Sequence, residues 1–214
     1  VPAPPLRVLS GPDGALWFTE DGVARIGRLT FDGRVTEFDT GLDGPADSLA
    51  FAPDGTLWFT QVETDQVGRM LPDGRVQKVD EDHGLDGWAT RGIAFDRDGN
   101  AWIAESGTST IRRIDAHDHA VTVFPIPHSF YGTRSLTLGA DGNIWFLEEH
   151  AEDAKIGRIT PAGVVTRFDL PHPGGEPDSL VAGRDGTLWF SEWHSNRIAR
   201  VTLPGDYATR HAGR

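Results

Sequence analysis

Cysteine is absent from the 214-residue chain, which excludes a disulfide framework, thiolate zinc sites and a cysteine nucleophile. Cations are scarce. Twenty Lys and Arg stand against 32 Asp and Glu, and a net charge of −12 suits neither a phosphate backbone nor an anionic membrane surface. No apolar run approaches the roughly 20 residues of a membrane-spanning helix. The expectation is a soluble protein without nucleic-acid or membrane partners, cytoplasm and secretion both left open. The chain opens at Val1 with no methionine and no signal-like apolar stretch, which reads as a mature or trimmed product. Helical periodicity is missing as well. Hydrophobic residues at 38% and aromatics at 9% are nevertheless enough for a packed core. The 26 Gly and 14 Pro are spread along the chain rather than pooled in one linker.

That spread reflects a repeat. Gly11-Pro-Asp-Gly-Ala-Leu-Trp17-Phe-Thr-Glu20 returns as Ala52-Pro-Asp-Gly-Thr-Leu-Trp58-Phe-Thr-Gln61 and as Asp96-Arg-Asp-Gly-Asn-Ala-Trp102-Ile-Ala-Glu105. It returns again as Gly139-Ala-Asp-Gly-Asn-Ile-Trp145-Phe-Leu-Glu148 and as Gly183-Arg-Asp-Gly-Thr-Leu-Trp189-Phe-Ser-Glu192. The Trp-to-Trp steps of 41, 44, 43 and 44 residues are too regular for chance.

Each unit has the same inner order. A short apolar run such as Ser48-Leu-Ala-Phe51 precedes an Asp-Gly turn, where a hairpin needs positive φ. The Leu-Trp-Phe run follows, then a polar loop and a third run such as Lys155-Ile-Gly-Arg-Ile-Thr160. A second turn leads to a fourth run, Val35-Thr-Glu-Phe38 or Val164-Val-Thr-Arg-Phe168. Four short strands per unit make one antiparallel sheet, and radial stacking covers its two apolar faces. The fold class is therefore all-β, a β-propeller of five four-stranded antiparallel blades in one domain over residues 1–214. The blades fall near 6–40, 47–81, 91–126, 134–170 and 178–211. The proline-rich segment 1–5 is a poor strand to complete the last blade, so the fifth unit is expected to use its own residues 206–211. A closed five-bladed ring is the first reading, a five-blade portion of a seven-bladed ring the second. The recurring Trp residues read as filler between blades. The recurring Arg28, Arg69, Arg113, Arg158 and Arg200 read as architectural hydrogen-bond donors.

The phrases Leu-Trp-Phe-Thr-Glu, Ile-Gly-Arg-Ile-Thr, Asp-Gly-Arg-Val-Thr-Glu-Phe and Trp-Phe-Ser-Glu-Trp resemble the streptogramin B lyase (virginiamycin B lyase) family over essentially the whole chain. The resemblance implies a magnesium-dependent propeller, seven-bladed in the family, that opens a cyclic depsipeptide antibiotic by elimination across its ester, and so a part in antibiotic resistance. In the family a Pro-His pair starts the innermost strand of the catalytic blades, a Glu follows 14 residues after the His, and one blade adds a Glu two residues before it. Here the His position holds Leu6, Asp47, Arg91, Arg134 and Asp178, none of them histidine. The later Glu position holds Glu20, Gln61, Glu105, Glu148 and Glu192, and the earlier one is met by Glu176. The resemblance therefore implies Glu176 and Glu192 as Mg²⁺ ligands and Asp178 in the place of the base. The fifth unit resembles the family's penultimate blade more than its last.

Independently of any family, starts of innermost strands gather at one mouth of a propeller. Asp47, Arg91, Arg134 and Asp178 are expected to ring it, with Glu105, Glu148 and Glu192 nearby. One reading is a channel-lining ion-pair network. The other is a binding site for a small molecule, Arg91 and Arg134 clamping an anion or carbonyl and the carboxylates serving as bases or cation ligands. The loops leading into these strands carry His83, His128 and His172, and His194 follows the second strand of the fifth unit. These histidines are candidates for proton transfer. Trp88, Phe130, Tyr131 and Trp193 are candidate ligand-facing aromatics. A phosphate loop, a His-Glu-x-x-His zinc motif and a Gly-x-Ser-x-Gly elbow are all missing. Three functions compete: a lyase-like enzyme, a non-catalytic binding module or scaffold, and a lactonase-type metal-dependent hydrolase. The expected state is a monomer or weak homo-oligomer.

Overall fold

Every Asp-Gly turn of the repeat closes a hairpin, and Gly14, Gly55, Gly99, Gly142 and Gly186 all hold φ between 75 and 86°, a left-handed backbone that glycine reaches without a Cβ clash. These hairpins build the computed structural model, which describes residues 3–79, 90–127, 132–148, 153–170 and 174–203. The first blade is β1 (Pro5–Ser10), β2 (Leu16–Glu20), β3 (Arg25–Leu29) and β4 (Val35–Asp39). The second is β5 (Leu49–Phe51), β6 (Leu57–Gln61), β7 (Gln66–Met70) and β8 (Val76–Lys78). The third is β9 (Thr90–Phe95), β10 (Ala101–Glu105), β11 (Thr110–Ile114) and β12 (Val121–Pro125). The fourth is β13 (Thr133–Leu138), β14 (Ile144–Glu148), β15 (Lys155–Ile159) and β16 (Val165–Asp169). The fifth is β17 (Pro177–Ala182), β18 (Thr187–Glu192) and β19 (Arg197–Thr202), three strands among the described residues. The fourth strand expected at 206–211 lies outside them. In every blade the strands follow chain order as an antiparallel meander, and the fold is a five-bladed β-propeller. Pro5 departs from the expectation for its segment: it pairs with Glu20 as the first residue of β1, a position where proline costs no ladder hydrogen bond.

Two features of the repeat have a direct steric cause. The Gly of Ile-Gly-Arg lies opposite the Phe of Leu-Trp-Phe, Gly27 facing Phe18, Gly68 facing Phe59 and Gly157 facing Phe146. A Cβ on any of the three would come within 2.2 Å of the ring, so the bare backbone is what lets the ring lie flat. The turn Asp, in turn, fixes the Trp. Asp13 accepts from the Trp17 indole N–H at 3.2 Å and from Arg28 Nε at 2.6 Å, and Asp141 accepts from Trp145 at 3.1 Å. The third-strand arginine lies over the same indole, 5.7–5.9 Å from its centroid in blades one, three, four and five. Its architectural assignment follows from that stack.

Four apolar clusters fill the four junctions between successive blades. Each joins the Trp-bearing face of one blade to the opposite face of the next, with Trp17 edge-on to Phe51 and Trp58 edge-on to Phe95. Trp102 is 0% exposed there, but Trp189 of the fifth blade is 38% exposed. Val8 on the first blade is 68% exposed and Ile198 on the fifth 75%. No fifth cluster joins these two blades among the described residues. No described helix is long and apolar enough to cross a membrane.

Candidate functional site at the channel mouth

The innermost strands β1, β5, β9, β13 and β17 together line a central channel of about 610 Å³. At the start of β1, β9, β13 and β17 the pairing register slips, between Pro5 and Val8, Thr90 and Ile93, Thr133 and Leu136, and Pro177 and Leu180. A bulge of this kind adds local twist and re-aims side chains. The residues within it are Arg7, Arg91, Arg134 and Asp178.

These side chains meet across the axis. Arg7 holds Asp178 with two hydrogen bonds, Nη1 to Oδ2 at 2.7 Å and Nη2 to Oδ1 at 3.1 Å. Arg134 Nε lies 2.9 Å from the same carboxylate. The hydrogen bonds from Arg7, with the charges of Arg7, Arg134 and Arg91, hold Asp178 below the usual carboxylate range despite its partial burial. Asp47 faces the same three guanidiniums, but desolvation by burial outweighs their pull and pushes its carboxyl up. The predicted ring of Asp47, Arg91, Arg134 and Asp178 is thus brought together. Among the described residues, neither Asp47 nor Arg91 makes a side-chain hydrogen bond, and Arg91 Nε is buried without a partner.

Arg7 was missing from the expected ring, where Leu6 held the aligned position. A signal for it existed. The residues aligned with Arg7 are Ser48, Gly92, Ser135 and Ser179, so a single large cation replaces a small side chain in one copy. Thr19 and Thr60 were missed too. Thr19 Oγ1 accepts from Arg7 N at 3.1 Å and donates to the Asp47 carbonyl at 3.4 Å. Thr60 Oγ1 accepts from Ser48 N at 3.1 Å and donates to the Arg91 carbonyl. Each hydroxyl ties one blade's inner strand to the next at the mouth.

The glutamates that end the second strands lie deeper. Glu105, wholly buried, pairs with Arg112 and accepts from Thr110 and Thr108 at 2.9 and 3.2 Å; burial nonetheless pushes its carboxyl up. Glu148 takes both arms of Arg167 at 2.6 and 2.7 Å. These partners come from the glutamates' own blades and none from the mouth cluster. Glu20 is buried with both carboxylate oxygens unpartnered among the described residues, and desolvation pushes it up as well.

The fifth blade gathers a second group. Pro177 pairs with Glu192, which sets Glu176 beside the end of β18. Glu176 holds φ of +43°, a left-handed backbone rare outside glycine, and its Oε2 lies 3.2 Å from His194 Nδ1. Glu192 is buried. Its Oε2 accepts from Ser195 Oγ at 2.7 Å, while Oε1 is buried without a partner among the described residues. A Cβ on Gly175 would lie 2.8 Å from that carboxyl carbon, so only glycine lets the chain cross the carboxylate so closely. Trp193 is exposed, with the His194 ring edge-on at 5.1 Å. Among the described residues no cluster of three or more His, Cys, Asp or Glu forms a metal site. His83, Trp88, His128, Phe130, Tyr131 and His172 lie outside the described residues.

Fold and mouth together define a β-propeller whose polar cluster caps a central channel. The Virginiamycin B lyase family profile matches residues 2–212, and the chain belongs to that family. A crystal structure of catalytically inactive virginiamycin B lyase from Staphylococcus aureus with quinupristin is 32% identical, with a TM-score of 0.82 over 94% of this chain and 67% of that one. A streptogramin B lyase structure is 29% identical, TM-score 0.78, over 94% and 69%. A gluconolactonase from Xanthomonas campestris, 18% identical with a TM-score of 0.69 over 86% and 68%, shares the fold. Among curated proteins none matches.

Proposed function

We propose that this chain is a streptogramin B lyase-like propeller that binds a small cyclic or ester-bearing molecule at the channel mouth and opens it by elimination. The family match over residues 2–212, together with a charged mouth above a channel of about 610 Å³, carries the reading. In such an elimination a base removes the proton beside a carbonyl, the carbon–oxygen bond breaks, a carbon–carbon double bond forms and a carboxylate leaves.

Asp178, bound by Arg7 and Arg134 and held at low pKa, is a weak proton acceptor. His194 suits the task better. Its Nδ1 faces Glu176, an arrangement that orients the ring and leaves Nε2 for the proton. Magnesium fits the fifth-blade group through oxygen chemistry: the orphaned Glu192 Oε1 and the Glu176 carboxylate are hard donors, and water completes the shell of an ion held by two carboxylates. Bound there, the ion would supply Lewis-acid chemistry at the ester carbonyl. His128 and His172 remain proposed participants by their place in the sequence, and Trp193 with Trp88 and Tyr131 proposed ligand contacts.

A binding module without catalysis is the second reading, favoured by the ion pair that ties Asp178 where the family places histidine. Incubation with a streptogramin B and Mg²⁺ separates the two. The lyase reading expects a linear product bearing a new double bond, detected by mass and ultraviolet absorbance. Intact substrate that still binds leaves the module reading standing and removes the lyase.

A further inference from the structure

Among the described residues the charges at the mouth do not cancel. Arg7, Arg91 and Arg134 face Asp47 and Asp178, three guanidiniums against two carboxylates, in a protein whose net charge is −12. Asp178 occupies two of the three cations, Arg7 and Arg134. Arg91 is left with a buried Nε that bonds nothing among the described residues. A buried guanidinium N–H that bonds nothing is costly unless an anion meets it. Asp47 does not discharge this role, since it makes no side-chain hydrogen bond there and burial disfavours its ionised form. Below the cluster the channel is lined by Leu49, Phe51, Ile93, Leu136 and Leu180 together with five hydroxyl residues, Ser135 among them.

We infer that the mouth is a receptor for an amphipathic carboxylate. The carboxylate head meets Arg91 beside the channel-lining Arg134, and an apolar body enters the channel. The inference rests on the mouth being a ligand site, as in the reading above, but requires no chemistry. The uncharged amide would leave the third cation uncompensated, so discrimination between acid and amide is its signature.

Phenylacetate and its uncharged isostere phenylacetamide test this by calorimetric or NMR titration of the full chain. Phenylacetate is expected to bind at least about tenfold more tightly than the amide, since a hydrogen bond to a charged group is worth one to two powers of ten. Arg91→Gln is expected to abolish the difference, Arg91→Lys to keep part of it, and the exposed-turn variant Arg75→Gln to leave it unchanged. Melting curves confirm that each variant is folded, and should Arg91→Gln fail to fold, Arg91→Lys and the acid–amide ratio of the parent still decide. Equal binding of acid and amide, no binding of phenylacetate, or full discrimination in folded Arg91→Gln each overturn the inference. Turnover of a streptogramin B is read separately, so a protein that discriminates acid from amide but turns nothing over sinks the lyase reading alone.

Discussion

Two aspartates in one charged cluster carry opposite signs of pH dependence. Asp178 has its folded pKa depressed by Arg7 and its neighbours, so its stabilisation is present above the unfolded value of about 4 and is lost as pH falls through the folded value. Asp47 has its folded pKa raised by burial. Its contribution is present below about 4 and is lost as pH rises through the folded value. Asp178→Asn is therefore expected to lower Tm by a few degrees at pH 7, with the deficit shrinking as the pH approaches 3. Asp47→Asn should leave Tm at pH 7 unchanged or higher. Thermal melts of the two variants and the parent across pH 3–7 check both signs. The Arg91 charge, by contrast, is expected to be read in ligand selectivity rather than in stability.

At the scale of the strand and turn, the repeat explains itself, and most of it was legible. The Asp-Gly turns, the Trp, and the glycine of Ile-Gly-Arg each answer a local demand: positive φ, an indole that fills a junction, and room for a ring. The turn and the Trp recur in every copy and the glycine in three of the five, with Arg112 opposite Ile103 in the third blade and Ala199 opposite Phe190 in the fifth. Gly157→Ala should cost about 1–3 kcal/mol, because the new methyl collides with the Phe146 ring in a closed interior. Trp102→Ala, which empties a wholly buried site, should cost about 3–5 kcal/mol. Trp189→Ala should cost distinctly less, with one face of its ring already in water. Denaturant midpoints of the three variants rank these effects.

The mouth was only partly legible for the same reason. Spacing placed Asp47, Arg91, Arg134 and Asp178 at one opening, but it could not show that Arg7 reaches across the axis to Asp178, 171 residues away. Nor does spacing distinguish a glutamate that faces a ligand from one consumed by an arginine of its own blade. Arg112 opposite Ile103 and Arg167 opposite Gly157 settle that for Glu105 and Glu148 through pairing register, which strand periodicity leaves open.

Across the whole molecule, the blades form a linear series of similar sheets, each held chiefly by its neighbours. Interior blades have two partners. The outer faces of the first and fifth blades carry Val8 and Ile198 in solvent. Amide exchange should therefore be slowest in β6, β10 and β14, each with all five residues buried, and fastest in β1 and β19. Uniform protection across the five sheets would contradict a neighbour-limited array.

The Arg7–Asp178 bond links the first and fifth blades across the axis and is unlike the four packed seams between successive blades. Four seams are greasy and indifferent to dissolved ions, whereas this one is coulombic and partly wet. Sodium chloride thus becomes a selective lever on the aperture: concentrated brine loosens a single stitch and leaves the oily seams in place.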